Sequence, residues 1–218
     1  MIAIDPRGAG LSDKPDEPYT GELVAGDVAA ALEAAGVERA HLVGMSMGGM
    51  IAQEVAIRRS ERVKSLLLVS TYAAVDEWSR RVLEVRRSII EQLGLGEHFR
   101  LSVLFVFSPK AFRTMRDWIA GLERRLAENP PGERAYLRQL DFCVAHDAVD
   151  RLAVVSAPTL VLTGSEDILT SRFQGRELAG MIPGAEYREI PEASHGLVWE
   201  EPELFAETVA AFADRHSG

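Results

Sequence analysis

The residues best suited to chemistry are Gly44-Met45-Ser46-Met47-Gly48, set between an apolar run (Ala40-His41-Leu42-Val43) and a helix-like stretch from Met50 to Arg59. Strand, sharp turn and helix with a serine at the apex would hold a hydroxyl in a strained, exposed position. The glycines two before and two after Ser46 are expected to be required because side chains there would collide as the strand reverses. The helix that follows would aim its first amides at whatever forms on the serine, favouring negative charge there. A serine hydroxyl is a weak nucleophile. It needs a base within hydrogen-bond reach, and that base needs a third group to hold it.

Five histidines could supply the base. His195 lies in Glu192-Ala193-Ser194-His195-Gly196, after the last predicted strand and before the last helix, where a loop reaches back over a sheet edge. His41 falls inside the strand before Ser46 and reads as structural. His98 and His146 lie in a helix-rich insertion and His216 near the end of the sequence; all three read as surface or packing residues, with His146 also a candidate lid-lining side chain. The third group should follow a strand at the same edge. Thr159 to Thr163 runs into Gly164-Ser165-Glu166-Asp167, which offers two adjacent carboxylates, and Asp76 after Val63 to Val69 is a back-up.

These side chains need a scaffold, and the hydrophobic pattern supplies one. Buried-strand runs occur at Ala40–Val43, Val63–Val69 (VKSLLLV), Thr159–Thr163 (TLVLT) and Glu186–Ile190, and Met1–Ile4 reads as the end of another. Helical spacing marks Glu22–Ala35, closed by Gly36, and then Met50–Arg59, Arg172–Met181 and Pro202–Ala213. Strands alternating with helices predict an α/β fold with a mostly parallel sheet covered on both faces. Residues 72–152 break that rhythm with helical stretches at Trp78–Leu93, Ala111–Ala127 and Glu133–Cys143. That length exceeds what a crossover needs. The expected organisation is a core of residues 1–71 and 153–218, with residues 72–152 as a helical lid over the sheet's C-terminal edge. Leu101–Phe107 and Trp118 read either as part of an apolar pocket wall or as lid core.

Composition excludes several functions. The net charge of −9 over 218 residues argues against nucleic-acid and anionic-membrane partners, which need a basic face. The single cysteine, Cys143, excludes an internal disulfide and reads as a buried apolar filler without metal-ligand spacing around it. No run of eighteen apolar residues occurs, so a membrane-spanning helix is not expected.

With these residues in view, the chain resembles the α/β-hydrolase fold superfamily in four blocks taken in order. They are Asp5-Pro6-Arg7-Gly8-Ala9-Gly10-Leu11-Ser12, Gly44-Met45-Ser46-Met47-Gly48-Gly49, Gly164-Ser165-Glu166-Asp167 and Ser194-His195-Gly196. The run from Gly44 through Gln53 is most similar to the 3-oxoadipate enol-lactonase-like small-ester hydrolases. The resemblance implies Ser46 as nucleophile, His195 as base, Asp167 rather than Glu166 as the orienting acid, and the Met47 backbone N–H as oxyanion donor. It implies a small-molecule ester or lactone substrate and neither metal nor organic cofactor. Carbon–carbon bond hydrolases and cofactor-free perhydrolases share this triad, and a non-catalytic binding protein could keep the fold. Arg86, Arg87, Arg113 and Arg116 are weaker candidates for greeting a carboxylate on the substrate.

The resemblance also implies three strands before Met1, with the loop that carries a second oxyanion donor, and so roughly 40–60 further residues by ordinary element lengths. Cytoplasmic location is the lean, and a homo-oligomer is left open.

Overall fold

A computed structural model describes residues 1–217. Four strands, β1 (Ala40–Met45), β2 (Val63–Val69), β3 (Thr159–Gly164) and β4 (Glu186–Ile190), form one sheet in the order β1-β2-β3-β4, with every pair parallel. Parallel neighbours require crossovers, and helices supply them. Helix α1 (Gly21–Ala34) precedes β1, and α2 (Met47–Arg58) links β1 to β2. Thr20 caps α1 by accepting from the Leu23 amide at 3.3 Å, and Gly36 ends it at φ 68°.

β2 shows why its run of apolar residues is continuous. Its side chains alternate between two faces, and both are covered. Leu66 and Leu68 pack with Val161 of β3 against Val55 of α2 and Leu178 of α8 (Arg172–Met181). Leu67 and Val69 pack with Leu160 and Leu162 against Phe212 of α10 (Pro202–Arg215). The sheet therefore carries helices on both faces.

Met1–Ile4 departs from expectation. The segment forms no strand, and Ile2 and Ile4 are exposed. A strand exists only as part of a ladder, and among the described residues no partner lies beside this segment or along the outer edge of β1.

Between β2 and β3 run α3 (Glu77–Leu93), α4 (Leu95–Val106), α5 (Pro109–Thr114), α6 (Arg116–Glu128) and α7 (Glu133–Ala145). The sequence pattern predicts one helix over Ala111–Ala127, but the chain turns at Met115 (φ −131°, ψ 30°). The turn lets Ala111 of α5 and Ile119 of α6 share one cluster with Val103 of α4 and Phe107 just beyond it. A second cluster joins Leu83, Ile90, Leu95 and Leu140. Phe142 of α7 packs instead with Tyr19, Met50, Ile51 and Tyr72, tying the helical segment to α2. Its two ends meet where the Ala148 amide donates to the Ala73 carbonyl at 2.9 Å. Cys143 is half-buried at this junction, and burial pushes its thiol up to about 12.

Among the described residues, no helix is long and apolar enough to cross a membrane.

Candidate active site

The four strands end side by side at one sheet edge, and backbone bonds stitch the loops that leave them. The Ser46 amide donates to Val69 O, the Ser70 amide to Leu162 O and the Ser165 amide to Ile190 O, each at 2.9 Å. Ser46, Asp167 and His195 leave this edge from β1, β3 and the loop after β4.

Ser46 sits at φ 53° and ψ −121°, a conformation costing about 1–3 kcal/mol for a residue with a side chain. Its surroundings hold it there. The Ser46 carbonyl accepts from Thr71 Oγ1 and the Gly49 amide, each at 2.9 Å, and from the Met50 amide at 3.2 Å. Its hydroxyl does not cap α2, so Oγ is not engaged by the helix it precedes. The expected collision exists at Gly44, where a Cβ would stand 2.2 Å from the Gly48 carbonyl oxygen. Gly48, expected to be equally confined, has open space on its side-chain side. The confined position is its neighbour Gly49, where a Cβ would approach Thr71 Cγ2 to 2.6 Å. The Met47 N–H is the first amide of α2 and makes no hydrogen bond within the chain's described residues.

The acid loop folds around one carboxylate. Asp167 accepts from the amides of Leu169 (2.9 Å) and Thr170 (2.8 Å) and from Thr170 Oγ1 (2.7 Å), and its side chain is fully buried. His195 Nδ1 faces the same carboxylate, 3.0 Å from Oδ2 and 3.2 Å from Oδ1. Burial alone would raise the Asp167 pKa. The charge and hydrogen bond of His195, with the Thr170 bonds, outweigh it and hold the group below the ordinary aspartate value. An ionised carboxylate at Nδ1 puts the imidazole proton there and leaves Nε2 the acceptor when the ring is neutral. Nε2 has no hydrogen-bond partner among the described residues, and in this arrangement it makes none with Ser46 Oγ.

Glu166 is exposed, and Asp76 caps α3 through the Ser79 amide at 2.7 Å, so neither meets His195. The other histidines have separate surroundings. His41 Nδ1 lies 2.8 Å from Ser65 Oγ, and His216 packs edge-on against Phe212. His98 is buried against Tyr136, with Nε2 2.9 Å from its hydroxyl. His146 is buried against α2, with Nε2 3.3 Å from Gln53 Oε1 and Nδ1 3.7 Å from Glu54 Oε1. Arg86 donates to Tyr136 Oη and Arg87 pairs with Asp141, which occupies both within the helical segment. Phe107 is buried as the core reading expects, whereas Trp118 is 40% exposed, meets Phe107 edge to face and lies tilted against Trp199 beside the His195 loop.

Sequence reasoning missed Thr170, whose hydroxyl bridges Asp167 and approaches His195 Nδ1 at 3.3 Å. A threonine three residues after an aspartate was the available signal, because that spacing suits a side-chain turn. It also missed the buried carboxylate of Glu54, held by Arg151 at 2.7 and 2.9 Å and by Arg58 at 2.8 Å. Among the described residues no group of three or more His, Cys, Asp or Glu side chains is placed to hold a metal ion. A surface depression of about 330 Å³ runs along the outer side of α3, lined by residues from Arg81 to Leu93, away from Ser46 and His195.

A parallel sheet with helices on both faces and a serine elbow at its C-terminal edge define a recognisable class, and the comparisons identify it. The chain belongs to the alpha/beta hydrolase fold family, whose model matches residues 1–202. In the coarse sense that family membership carries, it is a hydrolase. A relative from Azorhizobium caulinodans, provisionally named carbamate hydrolase RutD, is 34% identical over 215 residues, covering 97% of this chain and 80% of its own length. A relative from Mycobacterium tuberculosis, provisionally named non-heme bromoperoxidase BpoC, is 30% identical over 208 residues, covering 93% of this chain and 78% of its own. The crystal structure of the enol-lactonase from Burkholderia xenovorans LB400 superposes with a TM-score of 0.87 at 28% identity, covering 96% of this chain and 78% of that one.

Proposed function

We propose that this chain is a serine hydrolase that opens a small ester or lactone through Ser46, His195 and Asp167. The observation that carries the reading is the buried Asp167–His195 pair, which leaves Nε2 as acceptor at the same sheet edge as the strained Ser46. The likeness to an enol-lactonase structure supports the bond class.

In the mechanism, His195 Nε2 takes the proton from Ser46 Oγ as the oxygen attacks the carbonyl. The Met47 amide, at the positive end of α2, donates to the oxyanion of the tetrahedral intermediate. Asp167 keeps the Nδ1 proton in place and stabilises the imidazolium. His195 then hands its proton to the leaving oxygen, and a water deprotonated by the same imidazole releases the acid. Catalytic hydrogen bonds often tighten only when substrate is bound, so the open Ser46–His195 contact is compatible with these roles. Residues 72–152 serve as the lid, a role supported by the Trp118–Phe107–Trp199 contact with the His195 loop.

A carbamate is the second reading, favoured by the 34% identical relative named for that substrate. The same residues would serve, with an amine-bearing group leaving in place of an alkoxide. A fluorophosphonate probe tests the shared chemistry. Labelling of the wild type that disappears in Ser46→Ala is expected; a folded wild type that does not label refutes it. A panel of esters, lactones and carbamates then separates the two substrates.

A further inference from the structure

The loop carrying His195 is held by a carboxylate that belongs to neither the nucleophile nor the acid. Glu200, one turn beyond His195 at the end of α9 (Leu197–Glu200), accepts the Ser194 amide on Oε2 at 3.0 Å. Its other oxygen, Oε1, accepts the Ser108 amide at 2.7 Å and lies 2.6 Å from Ser194 Oγ. Ser194 and Ser108 are both buried. On the other side of His195, the Gly196 amide donates to the Val106 carbonyl at 2.7 Å, and Ser194 Oγ lies 2.5 Å from that same carbonyl. The hydroxyl has one proton, so it serves Glu200 or Val106 at any instant. Both residues flanking His195 are therefore tied to one short stretch, Val106–Ser108, where α4 ends and α5 begins.

We propose that Glu200 is a positioning residue for His195, and that through it the α4–α5 turn of the helical segment sets where the imidazole stands. The claim rests on the triad reading for its functional meaning but not for its geometry. A carboxylate offers acceptor sites on two oxygens, and here they bind two amides and a hydroxyl from two segments 86 residues apart (Ser108 to Ser194). Ser194 Oγ adds a single contact from the loop itself to the Val106 carbonyl, whereas Glu200 binds amides of both segments at once. Without Glu200, the Ser108 and Ser194 amides lose their acceptor and the loop can relax away from the α4–α5 turn. His195 moves with it, since its backbone lies between Ser194 and Gly196. A displacement of about 1 Å in a catalytic group costs on the order of 10²-fold in rate.

The test compares wild type, Glu200→Gln and Glu200→Ala on p-nitrophenyl acetate, with proton NMR of the His195 Nδ1–H as an independent readout. Glu200→Ala is expected to lower kcat by about 10²-fold with KM within twofold, and to shift or broaden the Nδ1–H resonance. Glu200→Gln keeps one oxygen acceptor but turns an N–H2 toward the other donors, so it is expected to fall between the two. Should Glu200→Ala not fold, Glu200→Gln carries the comparison alone. Variants that lose only melting temperature, with kcat and the Nδ1–H signal unchanged, overturn the proposal. A wild type without esterase activity sinks the triad reading instead, and the Nδ1–H resonance then decides this one by itself.

Discussion

Lowering the pH from 7 to 5 should destabilise this protein through two buried histidines that take no part in the proposed chemistry. Burial holds both His98 and His146 down to about 4 from an ordinary value of 6.5. For His98, nearby Arg86 adds to burial; for His146, Glu54 opposes it without overcoming it. In each case Nδ1 is buried with no hydrogen-bond partner, so a proton arriving there would meet no acceptor at bonding distance. Well above pH 6.5 both rings are neutral whether the chain is folded or not, and they add no pH dependence to stability. Between 6.5 and 4 the unfolded chain binds protons that the folded chain refuses. Stability therefore falls as pH falls, and the loss is complete only below 4.

At pH 5 an unfolded histidine of pKa 6.5 is almost fully charged, while a folded one of pKa about 4 is about one-tenth charged. The ratio of binding polynomials is about 30, or roughly 2 kcal/mol for each ring and about 4 kcal/mol for the pair. Domains of this size have about 5–15 kcal/mol in total. The assay is urea unfolding followed by far-UV circular dichroism at pH 7 and pH 5. The same loss should shrink by about 2 kcal/mol in His146→Gln, which keeps a polar partner for Gln53 but does not titrate. An unfolding free energy that stays level between pH 7 and 5, or a loss in His146→Gln and in His98→Gln as large as in the wild type, would overturn this account.

Three further outcomes are expected. Gly44→Ala places a Cβ 2.2 Å from the Gly48 carbonyl, so the elbow must open; probe labelling of Ser46 should be lost along with several degrees of melting temperature, and normal labelling would show that the turn yields cheaply. Thr170→Val removes the hydroxyl bonded to the buried Asp167 carboxylate at 2.7 Å, a loss of about 1–3 kcal/mol readable as reduced stability and a slower esterase rate. Arg151→Ala strips a two-pronged partner from buried Glu54 and should cost about 3 kcal/mol, Arg58 being left as the remaining cation. Arg151 and Arg58 hold the Glu54 carboxyl below its usual range against the upward pull of burial, so this stability is present at neutral pH and fades as pH drops below about 4.5.

β2 and β3 were legible because each is a short apolar run with its turn residues in place, and a parallel sheet buries such runs on both faces; the edge strands β1 and β4 are only partly buried, and β4 carries three charged residues. β2 is the clearest, since every residue but Lys64 is buried. Met1–Ile4 looked the same in one dimension and is no strand, because a strand needs a neighbour that no local pattern can report. The break at Met115 was hidden for a related reason. Helical spacing continues across it, and only the shared cluster of Ala111 and Ile119 around Phe107 shows why the chain turns. The elbow, acid loop and histidine loop could be placed from their strand ends. Thr170 had a local signal in its spacing from Asp167, whereas Glu200 could not be given a role, because its Ser108 partner is brought to it by the packing of a distant segment. Gly48 shows the converse error: a motif glycine was credited with a collision that belongs to Gly49.

On the proposed triad, the open contact between Ser46 and His195 raises the question of which side moves to close it. Ser46 is the fixed one. Its carbonyl and amide make four hydrogen bonds, and the helix it precedes is pinned further along by Gln53, which donates to the Tyr72 carbonyl at 3.0 Å inside the protein. Glu54 adds three charge-assisted bonds to Arg58 and Arg151 from a side chain that is 3% exposed. Moving α2 would break several of these at about 1 kcal/mol or more apiece. The His195 loop is held on its sheet side by Asp167 and by the Glu166 amide, which donates to the Ala193 carbonyl at 2.9 Å, and on its other side by Glu200 and Val106 at the α4–α5 turn, which packs in a small cluster separate from the sheet's two cores. A substrate seated between the helical segment and the elbow would press on that turn. On the proposed triad, the less costly response is then a small shift of Val106–Ser108 that swings the imidazole toward Ser46 about its Asp167 contact, while the serine stays where the sheet holds it.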